Sequence, residues 1–296
     1  MIRLGGSMKF GFIATSGTIE EVLEIAREAE RLGWDGFFTW DGIAPGNGEF
    51  WEEANANPQA MSVFDPWTVL AAVAVQTSQI RLGAMIFPLS RRRPWKVARE
   101  AMTVDHLSRG RLVIPVGLGA IDEAGFARVH PEVTDRRARA ERLDETIEIL
   151  ERAWRGKPFS YEGTHYQLQD VVFWPPSVQQ PRIPLWAVGA WPKPKSMARA
   201  ARLDGIVPSI ADAPFRQPSP AEIRDIVAWM MDHRETNSPF DVVLEGVSPA
   251  NDAEWVETTL RPLAEAGATW WIESRWEAPN DAQTLLERVR QGPPRL

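Results

Sequence analysis

Residues 80–94 read Ile-Arg-Leu-Gly-Ala-Met-Ile-Phe-Pro-Leu-Ser-Arg-Arg-Arg-Pro, and residues 108–119 read Ser-Arg-Gly-Arg-Leu-Val-Ile-Pro-Val-Gly-Leu-Gly. Leu82–Phe87 and Leu112–Val116 have the length and composition of buried parallel strands. Pro94 lies between them and can open a helix in its first turn, where its missing N–H costs nothing. The two stretches therefore predict a strand, loop, helix and strand unit. A parallel sheet binds its ligands at the carboxyl ends of such strands.

The alternation of strand and helix continues along the whole chain. Eight strands, each followed by a helix, predict an α/β fold of the (β/α)8 TIM barrel type that forms a single domain over residues 1–296. A doubly wound sheet contains the same elements and stays an alternative, because the sequence does not show closure. The predicted strands are Lys9–Ala14, Gly36–Trp40, Leu82–Phe87, Leu112–Val116, Leu185–Gly189, Gly205–Ser209, Asp241–Gly246 and Thr269–Ser274.

Two long loops interrupt the regular alternation of strands and helices. Residues 43–64 follow the second predicted strand and include Phe50 and Trp51, and residues 157–184 are rich in aromatic residues and proline. Long loops inside a compact domain are usually lids or binding loops. We therefore expect both loops to cover the barrel.

The composition excludes several classes of function. A net charge of −7 without a basic block argues against a nucleic-acid partner. The absence of cysteine excludes disulfides and thiolate chemistry, and the four histidines show no metal-ligand spacing, so we expect no metal. No run of 18 apolar residues could span a membrane. The first residues lack a secretory signal pattern, which favours a cytoplasmic location.

Several stretches resemble the luciferase-like monooxygenase superfamily of flavin- and deazaflavin-dependent barrels. The resemblance covers nearly the whole chain and implies a luciferase-like TIM barrel that binds reduced FMN or coenzyme F420 at its C-terminal mouth. It further implies an oxidoreductase or monooxygenase that performs a two-electron reaction on a small organic substrate. The densest matches are Asp65-Pro-Trp-Thr-Val-Leu-Ala-Ala72, Ile80-Arg-Leu-Gly-Ala-Met-Ile86, Arg92-Arg-Pro-Trp-Lys-Val-Ala-Arg-Glu-Ala101 and Leu107–Gly119.

Three departures from this superfamily bear on the reaction. Many F420-dependent members carry Asp-His after the second strand, whereas this chain has Asp41-Gly42. The acid that some F420-dependent dehydrogenases place after the strand-four glycines is Ala120 here. The long insertion of the larger FMN monooxygenases has no match. Neither a sugar-phosphate dehydrogenase nor an alkanesulfonate-type monooxygenase therefore fits well.

Cofactor contacts are expected at the ends of several strands. The resemblance implies a non-prolyl cis peptide at Met85-Ile86 that backs the flavin ring. The glycines after the fourth strand allow close approach to a ligand, and exposed N–H groups after the fifth strand could hold a phosphate. We expect Gly189→Leu to block this phosphate while leaving the fold intact. The expected cofactor contacts are Phe12, Met85, Ile86, Gly117, Leu118, Gly119, Gly189, Ala190 and Ser209, with Lys193, Lys195 and Arg202 as candidate counter-charges.

Candidate catalytic residues lie at the ends of the second and eighth strands. Trp40 and Asp41 end the second strand, where a carboxylate could act as a base or hydrogen-bond a ligand. Glu273 and Arg275 share a strand face and could form an interior ion pair near the mouth. The run Arg91 to Arg93 could bind an anion, although a solvated loop is the more common outcome.

Two other functions remain open at the level of sequence. A glycosidase-type barrel hydrolase could use strand-end carboxylates such as Asp41 and Glu273. A barrel without catalysis could only bind or assemble, because fold alone does not determine function. Members of the resembled superfamily commonly pair through the helices after strands two and three. Residues 66–77 are apolar on nearly every face, so we also expect a homodimer.

Overall fold

Eight parallel strands surround a central core. The computed structural model describes residues 7–44, 46, 52, 56, 63–214, 216–250, 252–277 and 280–296. Two further strands, β5 (Phe159–Glu162) and β6 (Gln167–Val171), form a separate antiparallel hairpin. The barrel strands are β1 (Lys9–Ile13), β2 (Gly36–Thr39), β3 (Arg81–Ala84), β4 (Ile114–Val116), β7 (Leu185–Trp191), β8 (Gly205–Ile210), β9 (Asp241–Gly246) and β10 (Trp270–Glu273).

Hydrogen bonds join the two ends of this sheet into a nearly closed barrel. The strands follow the order β3-β2-β1-β10-β9-β8-β7-β4. Between the terminal strands, the Val113 N–H donates to the Leu82 carbonyl at 2.8 Å, and the Phe87 N–H donates to the Pro115 carbonyl at 2.8 Å. An open doubly wound sheet would leave these groups at two separate edges. The predicted TIM barrel in one domain is therefore confirmed.

Helices cover the outside of the barrel, and several of them begin at a capping residue. Capping boxes at Thr18 and Ser219 open two of them, and the Asp65 side chain accepts the Thr68 N–H before a third. The helices are α1 (Ile19–Arg31), α2 (Pro66–Gln76), α3 (Pro94–Ser108), α4 (Ala124–Ala127), α5 (Arg136–Ala153), α6 (Pro194–Ala201), α7 (Pro220–His233), α8 (Ala253–Trp255), α9 (Arg261–Glu265) and α10 (Ala282–Arg290), with a π-helical segment Val256–Leu260 joining α8 to α9.

The inside of the barrel is filled by large rings. Phe38, Trp186 and Trp270 lie with ring centroids 5.3 to 6.3 Å apart. Glycines on neighbouring strands provide the room, because a Cβ at Gly36 or Gly205 would lie within 3.0 Å of these rings. The rings close the lower barrel, so that an open cavity is left at the carboxyl ends of the strands.

The structure describes one of the two predicted long loops in full and the other only in part. Most of 43–64, including Phe50 and Trp51, lies outside the described residues. The segment 157–184 contains the hairpin β5–β6, which the sequence analysis missed. Among its contacts, the Arg99 side chain of α3 donates to the Trp174 carbonyl, and the Gln179 amide donates to Asp105 near the end of α3 and to the Leu112 carbonyl. The expectation that both loops cover the barrel stays a prediction.

The helix α2 is less buried than its composition predicts. Six of its residues are buried, whereas Val75 is 64% exposed and Thr68 also faces solvent. The described part of the chain contains no helix that is long and apolar enough to span a membrane.

The carboxylate of Glu30 on α1 stabilises the turn that leads into β3. The Glu30 side chain accepts the backbone N–H groups of Ser78, Gln79 and Ile80 at 2.7 to 3.0 Å. Burial alone would raise the pKa of Glu30, but these donors outweigh it and lower the pKa below its ordinary value. The charged form is therefore the one that stabilises the fold.

We predict that Glu30→Gln lowers the free energy of unfolding by about 2 kcal/mol at neutral pH, since hydrogen bonds to a charged group are lost. A lowered folded-state pKa gives a stabilisation that is complete above the unfolded-state pKa and is lost as the pH falls through the folded-state value. Urea unfolding should therefore show the difference between parent and variant shrinking in acid. The exposed Glu162→Gln is the control, and a pH-independent difference would contradict this account.

Candidate active site

A two-lobed cavity opens at the carboxyl ends of the barrel strands. The smaller lobe has a volume of about 350 Å³ and the larger one about 880 Å³. Both volumes lie in the range of small-molecule sites, roughly 300–1,000 Å³. Four side chains line both lobes and mark the boundary between them: Val188, Val207, Glu245 and Trp276.

The smaller lobe has mainly apolar walls. Met85, Ile86 and Phe126 line it, and Trp40 meets Trp276 edge to face at a centroid distance of 6.1 Å. The peptide bond between Met85 and Ile86 is cis, as predicted. Gly117 lies below this wall, where a Cβ would collide with the Ile86 side chain. A flat, largely apolar group therefore matches the shape and chemistry of this lobe.

Ion pairs hold one side of the smaller lobe. Asp41 accepts from Arg92 Nε and Nη2, both at 2.7 Å, and from Arg91 Nη2 at 3.1 Å. Burial would lower the pKa of Arg92, but the paired Asp41 outweighs it and raises that pKa. Glu123 pairs with Arg91 and accepts the Ile43 N–H at 2.8 Å. Both oxygens of Asp41 are thus occupied by arginines, and its candidate role as a base stays untested.

Several predicted contacts face away from the cavity. Phe12 is fully buried against Trp34 in the layer between sheet and helices, at a centroid distance of 5.2 Å. The Leu118 side chain packs against the same outer core. Side chains alternate along a strand, so every second residue near a strand end points outward. The side chains of Phe12 and Leu118 therefore pack in the outer core, and their contact with a cofactor stays a prediction.

Glu273 also lies outside the mouth. Its side chain is fully buried, pairs with Arg288 of α10 at 3.4 Å and accepts the Ser248 N–H at 3.1 Å. Arg275 lies at 3.6 Å, so the predicted ion pair between these two residues is present. The carboxylate of Glu273 is thus held by Arg288 and Ser248 on the outer side of the strand, and the catalytic role expected for it stays a prediction.

The proposed phosphate site is only partly assembled. Ser209 lines the larger lobe, together with Arg216, which is paired with Glu222 at 2.7 Å. The Ala190 N–H, expected to face a phosphate, donates to Ser196 Oγ at 3.0 Å. Of the candidate counter-charges, Arg202 pairs with Asp144, and Lys193 and Lys195 are exposed.

Glu245 and Trp276 line both lobes of the cavity, although neither was predicted from the sequence. Glu245 lies on β9, two residues after Val243, which packs in the inner core. Its Oε1 atom accepts the Trp276 indole N–H at 2.6 Å. Burial raises the pKa of Glu245, and hydrogen bonds from Trp276 and Ser274 offset this only in part. The available signal was an acid directly after the apolar run Val242–Leu244, at the carboxyl end of its strand.

Metal chemistry finds no support in the described residues. No group of three or more His, Asp or Glu side chains in that part of the chain could hold a metal ion. The cavity offers apolar walls, arginines paired with acids, and the carboxyl group of Glu245. Such a site suits an organic cofactor and a small organic substrate.

Comparisons with known proteins agree with this architecture. A family model described as luciferase-like monooxygenase matches residues 7–290. The F420-dependent glucose-6-phosphate dehydrogenase of Microbacterium testaceum is 29% identical over 186 residues, which cover 62% of this chain and 52% of that protein. The chain thus spans about half the length of such curated relatives.

Solved structures share the fold at low sequence identity. An F420-dependent secondary alcohol dehydrogenase, in complex with an F420-acetone adduct, matches with a TM-score of 0.75 and 16% identity over 97% of this chain and 98% of that one. A long-chain alkane monooxygenase matches with a TM-score of 0.73 and 13% identity over 97% of this chain and 91% of that one. These matches show the barrel alone.

The structure changes the expectation for Gly189→Leu. A Cβ at Gly189 would lie 2.5 Å from Ile206 Cδ1 and 3.2 Å from Met197 Sδ, in the packed outer layer. The larger side chain would therefore strain the core and would not enter the cavity. We predict that this variant lowers the free energy of unfolding by roughly 1–3 kcal/mol.

The free energy of unfolding is measured by chemical denaturation of Gly189→Leu, with Ala198→Leu as the control. Ala198 is exposed on the adjoining helix α6, so its substitution adds the same side chain outside the core. Equal stability of the two variants would show that Gly189 does not face the packed layer.

Proposed function

We propose that this chain, which belongs to the luciferase-like monooxygenase family, is an oxidoreductase that uses reduced FMN or coenzyme F420. The substrate is a small organic molecule bound in the same two-lobed mouth. F420-dependent dehydrogenases among its relatives support this proposal. The observation that carries it is an apolar lobe, of a size suited to a flat ring, joined directly to a larger lobe that contains more polar and charged side chains.

The residues of the smaller lobe fit a flavin or deazaflavin ring. Met85, Ile86 and Phe126 offer apolar surface, and the missing side chain at Gly117 leaves Ile86 and Val188 undisplaced beside it. When bound, such a cofactor supplies the two-electron chemistry that amino-acid side chains lack. The protein contributes position, exclusion of water and electrostatics.

The larger lobe fits a polar tail or substrate. Ser209 and Gln217 supply hydrogen-bonding groups, and Arg216 and Arg275 supply positive charge along its wall. Both arginines are paired with an acid, Arg216 with Glu222 at 2.7 Å and the partly exposed Arg275 with Glu273 at the longer distance of 3.6 Å. Both FMN and F420 carry anionic tails, so this lobe suits either cofactor.

The ion pairs keep the smaller lobe in shape. Arg91 connects Asp41 after β2 to Glu123 before α4, and Glu123 also accepts the backbone N–H of Ile43. Loops from different strands are thereby joined around the cavity. A fixed wall lowers the cost of ordering a bound ring.

The positions of the two candidate carboxylates do not support the hydrolase alternative. A glycosidase-type site needs two carboxyl groups on either side of the scissile bond, facing one cleft. Glu273 points out of the barrel to Arg288, and Asp41 is held by Arg91 and Arg92. No described observation favours hydrolysis over redox chemistry.

A substitution at Ala120 tests the cofactor site. Ala120 is exposed and lines the smaller lobe, so Ala120→Trp should fill the lobe without disturbing the core. We predict that it weakens the binding of whichever cofactor the parent binds by at least about tenfold, or 1.4 kcal/mol. The measurement is a titration with FMN and with F420, oxidised and reduced, followed by absorbance and fluorescence.

Ala127→Trp is the matched control, because Ala127 is equally exposed on α4 but lines neither lobe. It should bind the cofactor as the parent does. If neither cofactor binds the parent, the proposed function is wrong. If Ala120→Trp binds as tightly as Ala127→Trp, the ring lies elsewhere.

We further propose a homodimer that pairs through α2 and α3. Both helices expose apolar side chains, with Val75 64% and Trp95 40% exposed. Burying such side chains against a second copy would remove apolar surface from water. Light scattering should therefore give a dimeric mass for the parent and a monomeric one for Val75→Arg. Val172→Arg, at another exposed valine, should remain dimeric, and a monomeric parent in dilute solution contradicts the proposal.

A further inference from the structure

Glu245 lies where the two lobes of the cavity meet. It is on β9 in register with Ile272 of β10, whose side chain packs in the inner core. The residue therefore points into the barrel mouth, near the carboxyl end of its strand. Its carboxyl group lines the smaller and the larger lobe at once. Any ligand that extends from one lobe to the other passes this group.

Trp276 fixes the direction of this carboxyl group. Its indole N–H donates to Glu245 Oε1 at 2.6 Å, and its ring is held edge to face by Trp40. One oxygen of the carboxyl is thereby occupied by a donor that cannot accept a proton. The Ser274 side chain is a second donor to this carboxyl group, so a ligand would meet the oxygen lone pairs that these two donors leave open.

The partners of Glu245 differ from those of the other acids at the mouth. Asp41 and Glu123 are both paired with arginines. Among the described residues, no lysine, arginine or histidine lies within salt-bridge distance of Glu245, and its only neighbouring donors of note are the neutral side chains of Trp276 and Ser274. A carboxyl group without a cation, beside Val188 and Val207, is suited to gaining and losing a proton.

We propose that Glu245 is a catalytic residue that exchanges a proton with the oxygen of an alcohol or carbonyl substrate. This inference rests on the proposed function, because the cofactor in the mouth must accept or supply the hydride. It assigns the substrate to the alcohol–carbonyl class. It also gives Trp276 the role of a positioning residue that acts through Glu245.

In both directions of the proposed reaction, transfer of a hydride is coupled to transfer of a proton. In reduction, the carbonyl carbon gains a hydride from the reduced flavin or deazaflavin while the carbonyl oxygen takes the proton of the Glu245 carboxyl. The C=O π bond becomes the new O–H bond, and Glu245 is left as a carboxylate that regains a proton from water in the open larger lobe. In oxidation, the carboxylate takes the hydroxyl proton as the hydride leaves the carbinol carbon for the oxidised cofactor.

The electrostatic setting supports a neutral acid at rest. Burial raises the pKa of Glu245, which is the direction needed for a proton donor near neutral pH. The other charged groups facing the cavity are Arg216, Arg275 and Glu277 in the larger lobe, and Asp41, Arg91 and Glu123 in the smaller one. The three arginines favour the carboxylate and the acids oppose it.

Infrared spectroscopy tests the protonation of Glu245 without cofactor or turnover. The parent, grown with isotope-labelled glutamate, should show a protonated glutamate carboxyl band that persists above the ordinary Glu pKa. The band should be absent in Glu245→Gln. In Trp276→Phe it should titrate at higher pH, because the indole N–H that lowers the pKa of Glu245 in the parent is missing. It should remain in Asp241→Asn, which removes another acid with a raised pKa. A parent without this band overturns the inference.

Turnover of the cofactor-loaded protein tests the chemical role. The probes are a series of secondary alcohols and their ketones, beginning with 2-propanol and acetone, with single-turnover hydride transfer as the readout. Glu245→Gln keeps an acceptor for Trp276 but cannot exchange a proton, so the rate should fall roughly 100- to 10,000-fold with cofactor affinity retained. In the reductive direction, Trp276→Phe should move the high-pH loss of rate to higher pH.

The outcomes separate this inference from the proposed function. Failure of the parent to bind either cofactor refutes the proposed function, whatever the infrared result. Cofactor binding without turnover of any alcohol or ketone overturns the inference alone. An unchanged rate in Glu245→Gln, or loss of cofactor binding in that variant, overturns it too, because Glu245 would then be idle or part of the cofactor site.

Discussion

The packing of three aromatic rings inside the barrel is the constraint on which the site depends. Phe38, Trp186 and Trp270 fill the lower interior, and they fit because the neighbouring strands carry glycine where a Cβ would collide with the rings. Close-packed interiors have few voids larger than a water molecule, so a ligand cannot enter from below. The two-lobed cavity therefore lies above the rings, at the carboxyl ends of the strands. There the rings give way to the smaller side chains of Val188 and Val207, and the two-lobed cavity begins.

Local signals made most of the fold predictable from the sequence. The capping boxes at Thr18 and Ser219 depend on residues three positions apart, and the structure contains both. Buried parallel strands were recognisable as apolar runs, since both faces of such strands are covered. The hairpin β5–β6 was missed because its strands are short and only partly buried. Closure of the barrel also required the structure, because the bonds between Leu82 and Val113 join strands that are 31 positions apart.

The candidate site was less predictable, because its chemistry depends on direction and on distant partners. Trp40, Met85, Ile86 and Gly119 do line the smaller lobe, as their positions at strand ends suggest. Asp41 is also there, yet its chemistry is set by Arg91 and Arg92, 50 and 51 positions away in the chain. No local pattern shows such a pairing. The apparent anion-binding arginine run is thus an internal counter-charge for Asp41 and Glu123, and it stabilises the wall of the cavity.

Glu245 and Glu273 show how one position of register decides the role of an acid. They lie on adjacent parallel strands, but Glu245 is aligned with Ile272 and Glu273 with Gly246. Because successive side chains point to opposite faces, this offset sends Glu245 into the mouth and Glu273 into the outer layer. Outside, Arg288 and Ser248 compensate the charge of Glu273. Inside, Glu245 has the Trp276 indole N–H and a wall of valines, so burial acts on it without a compensating cation. The same residue type is thereby held as a fixed ion pair on one strand and as an acid suited to proton exchange on the next.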